Sequence, residues 1–142
     1  MKKVKKSFTL IEILVVSTVI VLLSAAASIS YSRFSKQSRD AKRKTDIEQV
    51  RAALEMYRSN EDAYPVGSNW GTTLNVLSSP TIYIQSLPSD PKNPTFTYYY
   101  TSSDGTDYTL ATHLETDTVT CQSLATQCVS NCTYCAGPYG EK

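Results

Sequence analysis

The chain has 142 residues and nearly balanced charge, with 14 Lys and Arg against 13 Asp and Glu. Its charges are unevenly spread, because six basic residues fall within residues 33–44, whereas residues 60–142 carry two basic and eight acidic ones. A charged helix face, not a nucleic-acid surface, is expected for the basic segment. The single histidine, His113, should be solvated on the polar face of a strand, with no nucleophile beside it. This composition argues against an enzyme.

An apolar run over residues 8–29 contains one carboxylate, Glu12. Its 22 residues suffice to cross a bilayer as a helix, which needs about 20. A carboxylate at the centre of such a helix costs about 2.5–3.5 kcal/mol, and less nearer the edge, so Glu12 requires a partner. Composition leaves two interpretations open. One is a signal anchor, and the other is a secretory signal peptide cleaved after Ala27, which would release a soluble protein.

The residues around Glu12 favour a third interpretation. Residues 7–12, SFTLIE, resemble the processing motif of type IV prepilins and type II secretion pseudopilins. The resemblance implies that residues 1–7 are a cytoplasmic leader, that a membrane aspartyl peptidase cuts between Ser7 and Phe8, and that Phe8 is then N-methylated. Glu12 occupies the position of the family's signature glutamate. Ser7 stands where the family usually has Gly. Ser is also a small residue, so cleavage is still expected.

Cleavage would create a basic α-amino group on Phe8, which methylation leaves basic. In a filament of staggered helices, Glu12 could pair with the Phe8 amine of its own chain or of a neighbour, which removes the desolvation penalty of both charges. We therefore expect Glu12 to act in assembly, as an unpaired charge that is relieved when the subunit docks.

Basic residues flank the apolar run on both sides, so the positive-inside rule does not decide its orientation. The resemblance and the C-terminal cysteines favour a single-pass cytoplasmic-membrane protein with its N-terminus inside and its head outside. Such a subunit then enters an extracellular filament or a secretion pseudopilus. Attraction between the acidic head and the basic segment of neighbouring subunits is a further expectation, screened by salt.

A helix should continue beyond the apolar run to about Ser59, since Pro and Gly are absent up to that point and Asn60 is a suitable C′ residue. We divide it into a transmembrane part, 8–30, and an amphipathic part, 31–59. Beyond the apolar run, residues 36–46 contain no large apolar side chain. We call this segment the collar and expect it to face solvent or a neighbouring subunit. The face expected to pack on the head consists of apolar residues at helical spacing: Ile47, Val50, Leu54 and Tyr57.

Residues 60–142 are predicted to form one small head. A proline-rich loop with at most short elements is followed by a hairpin, whose strands are residues 96–101 and 108–114. Successive side chains of the second strand point to opposite faces, and its apolar face should cover the apolar face of the helix. The predicted fold class is α+β, with a long N-terminal helix packed against a small antiparallel sheet and a cysteine-rich C-terminal loop.

The hairpin turn contains Asp104 and Asp107, which would be the calcium candidates of this chain. Two acids fall short of a full oxygen shell, so turn chemistry is the expected role, and no metal or cofactor is predicted. The segment from Ala63-Tyr64-Pro65 through LPSDPKNP, residues 87–94, also looks like G-type pseudopilins. Those relatives carry calcium in their C-terminal loops.

All four cysteines lie near the C-terminus: Cys121, Cys128, Cys132 and Cys135. An even number in an exported segment favours two disulfides, with three connectivities open. Cys132 and Cys135 form a CxxC that would also suit zinc. Cys121 and Cys128, however, are too widely spaced to supply the second pair of zinc ligands. Reactive thiols are the third alternative, but the βαβ context of a redox enzyme is missing. Pilins commonly close a C-terminal loop with a disulfide, which supports bridges without assigning pairs.

Together these observations predict a structural, non-enzymatic subunit of a type IV pilus-like filament or a type II secretion pseudopilus. Its expected partners are identical and minor pilin subunits, the prepilin peptidase, the inner-membrane assembly platform and membrane lipid, with no nucleic acid. The alternative from another class is a secreted cysteine-rich binding domain released after Ala27.

Overall fold

A computed structural model of the chain describes residues 8–118, 120–121 and 132–141. Two compact units are present, Met1–Lys36 and Gln37–Lys142. The main element is an α-helix of 52 residues, α1, which spans Leu10–Glu61. Among the helices of the described residues, none is both long enough and apolar enough to cross a membrane.

The helix α1 ends two residues later than expected. Asn60 remains helical, and its side-chain amide donates to the Tyr83 hydroxyl at 2.9 Å. Asp62 takes the left-handed conformation instead, with φ of 60°, and its N–H donates to the carbonyl oxygen of Arg58 at 2.8 Å. This single bond is the αL type of C-terminal cap, and Asp is one of the few residues other than Gly that adopt it readily.

The proline-rich loop contains one short helix, α2, Trp70–Leu74, and one 3₁₀ turn, Asn75–Leu77. Asn69 caps α2, because its Oδ1 accepts from the N–H of Thr72 at 2.9 Å. These turns bury Leu74 and Leu77 in the core of the head.

The head contains one antiparallel sheet with four strands in chain order among the described residues. They are β1 (Tyr99–Thr101), β2 (Thr109–Thr112), β3 (Tyr134–Gly137) and β4 (Gly140–Glu141). The predicted hairpin is β1–β2, with shorter strands and with Tyr100 opposite Leu110. Gly105 in its turn has φ of 78° and lies so close to the backbone of Tyr64 that a Cβ would stand 3.1 Å from that carbonyl oxygen. The predicted α+β class is confirmed.

The core of the head forms where α1 meets the sheet. Ile47, Val50 and Leu54 are fully buried there with Tyr108 and Leu110 from the second strand. Tyr57 is partly buried and packs on the edge of the same cluster.

The opposite face of β2 was expected to be polar and solvated, and this expectation is wrong. All four residues of β2 are buried. On the face that turns away from the helix, Ala111 packs with Cys132 and Cys135 of the cysteine-rich tail. His113 is half-buried and stacks on Phe96, with ring centroids 4.7 Å apart.

The solvated or subunit-facing collar predicted for residues 36–46 is wrong for one side of the helix, although Lys42 and Lys44 on its other side are exposed. Asp40, Arg43 and Asp46 are buried, and Arg43 is 0 % exposed. Burial of unpaired charges would be strongly unfavourable, but these three residues have polar partners in the head, which offset the loss of hydration.

Candidate functional site

Two groups of polar residues are candidates for function, and the first is the start of α1. The hydroxyl oxygen of Thr9 accepts from the N–H of Glu12 at 3.3 Å. In return, Glu12 Oε2 accepts from the Thr9 N–H at 2.8 Å and from the Thr9 hydroxyl at 2.7 Å. This reciprocal arrangement is a capping box, and it satisfies two of the N–H groups that a helix start leaves without partners.

The capping box changes the interpretation of Glu12. We expected an unpaired carboxylate before assembly, whereas Glu12 has two donors within its own chain. Both donors use Oε2, and Oε1 has no partner among the described residues, so this oxygen can still accept from an amine. Phe8, which would carry that amine after cleavage, is 82 % exposed. Ser7 lies outside the described residues.

The first unit presents an extensive apolar surface. Every large apolar side chain from Leu10 to Leu23 is between 48 % and 83 % exposed. Soluble monomers rarely expose apolar patches of this extent, and such patches usually mark contacts with protein or lipid. The start of α1 therefore presents a large exposed apolar surface next to a polar cap.

The second candidate is an ionic cluster in the head, which we call the Arg43 cluster: Arg39, Asp40, Arg43, Asp90, Lys92 and Glu115. The Arg43 side chain is 0 % exposed. Its Nε and Nη2 donate to the two carboxylate oxygens of Asp90 at 2.7 and 3.0 Å. Its Nη1 donates to Asp40 at 2.7 Å and to Glu115 at 3.0 Å. One guanidinium therefore joins α1, the proline-rich loop and the segment after β2.

The three carboxylates of the cluster have further donors. Glu115 accepts two hydrogen bonds from Arg39, at 2.6 and 2.7 Å, and one from Lys92 at 2.8 Å. These bonds, above all those from Arg39, hold the pKa of Glu115 well below its usual range. Asp40 accepts from the backbone N–H groups of Glu115 and Thr116, both at 2.9 Å. Burial opposes ionisation of Asp40, but these hydrogen bonds prevail and lower its pKa.

Aromatic rings cover the cluster and extend it. The guanidinium carbon of Arg43 lies 5.3 Å from the centroid of the Phe96 ring, which is a cation–π distance. One turn further along α1, Asp46 accepts from the Tyr98 hydroxyl at 2.6 Å. Burial, together with the charge of Asp46, raises the pKa of Tyr98 above its ordinary value. The cluster therefore fastens the head to α1.

The sequence predicted the first of these two candidates and not the second. Glu12 was predicted from its motif, whereas its pairing with Thr9 was missed, although the T-x-x-E spacing of a capping box can be read directly from the sequence. The Arg43 cluster had no comparable signal. Asp90 and Glu115 lie 47 and 72 positions beyond Arg43, and no local pattern relates residues at such distances.

The cysteine-rich tail contains a disulfide between Cys121 and Cys135, whose Cα atoms are 6.0 Å apart. Cys132 is disulfide-bonded as well, and Cys128 lies outside the described residues. Disulfide sulfurs cannot also serve as zinc thiolates, which removes the zinc alternative for these three cysteines. In the part of the chain that the structure describes, no group of three or more His, Cys, Asp or Glu residues could hold a metal ion.

The two turn acids make local hydrogen bonds. Asp104 Oδ1 accepts from the N–H and the hydroxyl of Thr106 at 2.9 and 2.8 Å. Asp107 Oδ1 accepts from the N–H of Tyr108 at 2.8 Å. The Asp104 contact, to the N–H two residues on, is that of an Asx turn.

The long helix with its capped, apolar start and the small antiparallel sheet define a pilin-like subunit. Comparison with protein families supports this class: the prokaryotic N-terminal methylation motif matches residues 2–28, and type II secretion system (T2SS), protein G matches residues 31–120. The second match covers more than half of the chain, which therefore belongs to the type II secretion system protein G family of pseudopilins. Neither the curated proteins nor the solved structures contain a significant match to the chain.

Proposed function

We propose that this chain is a structural subunit that is processed between Ser7 and Phe8 and assembled through α1 into a secretion pseudopilus or a type IV pilus-like filament. The observation that carries the proposal is the position of the capping box, immediately after the expected cleavage site and before the exposed apolar surface. Cleavage there would leave the Thr9–Glu12 bonds intact. It would also create an α-amine on Phe8, four residues before Glu12, whose Oε1 has no partner among the described residues.

The proposal includes membrane anchoring through the apolar N-terminal segment before assembly, with the N-terminus inside and the head outside. The disulfide between Cys121 and Cys135 supports a head that matures in an oxidising compartment. The partners would be other pseudopilin subunits, the prepilin peptidase, the inner-membrane assembly platform and membrane lipid. The role is mechanical, since the Arg43 cluster and the tail both act to hold the head together.

Mass spectrometry of the mature N-terminus tests the processing step, using cells that also supply a prepilin peptidase. We expect a chain that begins at N-methylated Phe8. A chain that begins at Ser28 would overturn the proposal and would indicate a secreted cysteine-rich domain released by ordinary signal-peptide cleavage.

Two substitutions separate the charge of Glu12 from its capping role. Glu12→Gln removes the charge but keeps the capping box, because Gln serves at that position as well as Glu. Thr9→Val keeps the charge but removes the hydroxyl of the cap. If the carboxylate pairs with the Phe8 amine in the filament, Glu12→Gln will prevent assembly whereas Thr9→Val will largely preserve it. Normal filaments from Glu12→Gln would show that assembly does not need the charge.

A further inference from the structure

Two aromatic residues lie on α1 beyond its exposed apolar start. Tyr31 and Phe34 are 75 % and 71 % exposed, and their i, i+3 spacing puts them on one side of the helix. Arg33 and Lys36 are exposed as well. They come two and five positions after Tyr31, and a helix turns by about 100° per residue, so they lie on the opposite side. This segment therefore presents aromatic rings on one side and cations on the other.

The distance from the start of α1 to this segment matches the thickness of a bilayer. The helix is continuous from Leu10, so at a rise of about 1.5 Å per residue Tyr31 lies about 32 Å and Phe34 about 36 Å along it from Leu10. The hydrocarbon core of a bilayer is about 30 Å thick, and its polar interfaces bring the total to about 40–45 Å. With Leu10 at one edge of the hydrocarbon core, both aromatic residues lie in the interfacial layer at the other edge.

The residue types suit an interfacial position. Aromatic side chains such as Tyr are enriched there, because the ring is apolar and the hydroxyl reaches water. Arg and Lys lay their methylene stems along apolar surface and keep the charge among the headgroups. A groove on another protein would meet only one side of the helix. Lipid surrounds the helix, and so contacts the rings and the cations at the same time.

We propose that residues 31–36 anchor the unassembled subunit at a bilayer interface, where Tyr31 and Phe34 lie at the headgroup boundary and Arg33 and Lys36 bind anionic headgroups. This inference rests on the proposed function, because it assumes that the apolar segment of α1 enters the membrane. Each Lys or Arg close to an anionic surface raises the affinity for that surface about five-fold. The segment therefore collects anionic lipid, and the subunit must give up these contacts when it enters a filament.

Tryptophan quenching in vesicles tests the depth of the segment. Full-length Phe34→Trp is reconstituted in phosphatidylcholine whose chains carry a quencher either near the headgroup or near the chain end. The matched variant is Ile20→Trp, an exposed position in the middle of the apolar surface. The parent chain, whose single tryptophan is Trp70, supplies the background. We expect the shallow quencher to act more strongly on Phe34→Trp and the deep quencher to act more strongly on Ile20→Trp.

The outcomes separate this inference from the proposed function. If Ile20→Trp is quenched, but Phe34→Trp is either not quenched or quenched chiefly by the deep quencher, the interfacial anchor is overturned and membrane insertion of the subunit stands. If neither variant is quenched above the background, membrane insertion is overturned, and the anchor with it.

A second measurement tests the preference for anionic lipid. Vesicles contain both phosphatidylglycerol and phosphatidylcholine, and only one of the two carries the shallow quencher in each sample. Phe34→Trp should be quenched more by labelled phosphatidylglycerol, and adding Arg33→Gln and Lys36→Gln should abolish this difference. Equal quenching by the two lipids before the charges are removed refutes the role of Arg33 and Lys36.

Inorganic phosphate distinguishes a lipid surface from a site for phosphate itself. Exchange of chloride for phosphate at the same ionic strength should leave the preference for phosphatidylglycerol unchanged, because screening is the same in both salts. Loss of the preference in phosphate alone would show that the segment binds the free anion, and would overturn the assignment to lipid.

Discussion

Replacing Arg43 by methionine should destabilise the head strongly. The Arg43 side chain is 0 % exposed and joins three carboxylates. Asp40 and Glu115 would keep other donors after the substitution, but among the described residues Asp90 would keep only the N–H of Lys92, at 2.7 Å. Removing one partner of a buried ion pair costs about 3–5 kcal/mol, because the remaining charge is buried without compensation. We expect the free energy of unfolding to fall by that amount.

Urea unfolding of the full chain in detergent micelles measures this effect. Trp70 is the single tryptophan and lies at the start of α2, so its fluorescence reports on the head. With a denaturant dependence of about 1–3 kcal/mol/M, a loss of 3–5 kcal/mol lowers the urea midpoint by at least ~1 M.

The control variant is Arg51→Met, which removes an ion pair with Glu48 between side chains that are 22 % and 51 % exposed. Ion pairs that reach solvent contribute about 0–1 kcal/mol, so this variant should lose much less stability than Arg43→Met. A second variant combines Arg43→Met with Asp90→Asn, and it should recover part of the loss because the orphaned charge is gone. A loss below ~1 kcal/mol for Arg43→Met alone would refute the view that the cluster fastens the head to α1.

Three further predictions concern single contacts in the head. The pKa of Glu115 lies below its ordinary value of 4.5, so its ionised form stabilises the fold above about that pH, and this contribution is lost as the pH falls further. The stability advantage of the parent over Glu115→Gln should therefore shrink on acidification below pH ~4.5, and a difference that does not change with pH would contradict the assignment. Tyr98→Phe removes the hydroxyl that donates to buried Asp46, and it should lower the free energy of unfolding by about 1.5–3 kcal/mol in the same urea assay; an unchanged midpoint would show that Asp46 finds another partner. Replacing Cys121 and Cys135 together by serine opens a bridge between residues 14 positions apart and should cost about 2–4 kcal/mol, whereas recovery of Cys121 in a different bridge by peptide mapping would contradict the pairing.

The local elements of this fold could be predicted because their signals are local. The absence of Pro and Gly predicted a helix to Ser59, and α1 ends at Glu61. Alternation around an Asp-Gly turn predicted the hairpin, and β1 and β2 lie within the predicted strands. The core face of α1 also followed from spacing, since Ile47, Val50 and Leu54 are all fully buried. Each of these inferences needs only a few neighbouring residues and one periodicity.

Sequence by itself determined the SFTLIE motif, the long helix, the α+β class and the apolar face of α1. The tertiary structure alone decided which charges are buried. From the sequence Arg43 is expected to be a solvated cation, but the fold places Asp90 and Glu115 within hydrogen-bond distance of it. It also decided the pairing of Cys121 with Cys135 and the strands β3 and β4, which extend the sheet beside β2. The physical reason is that these contacts join residues far apart in the chain. Their favourable energy depends on the burial that the whole fold creates, which no short pattern encodes.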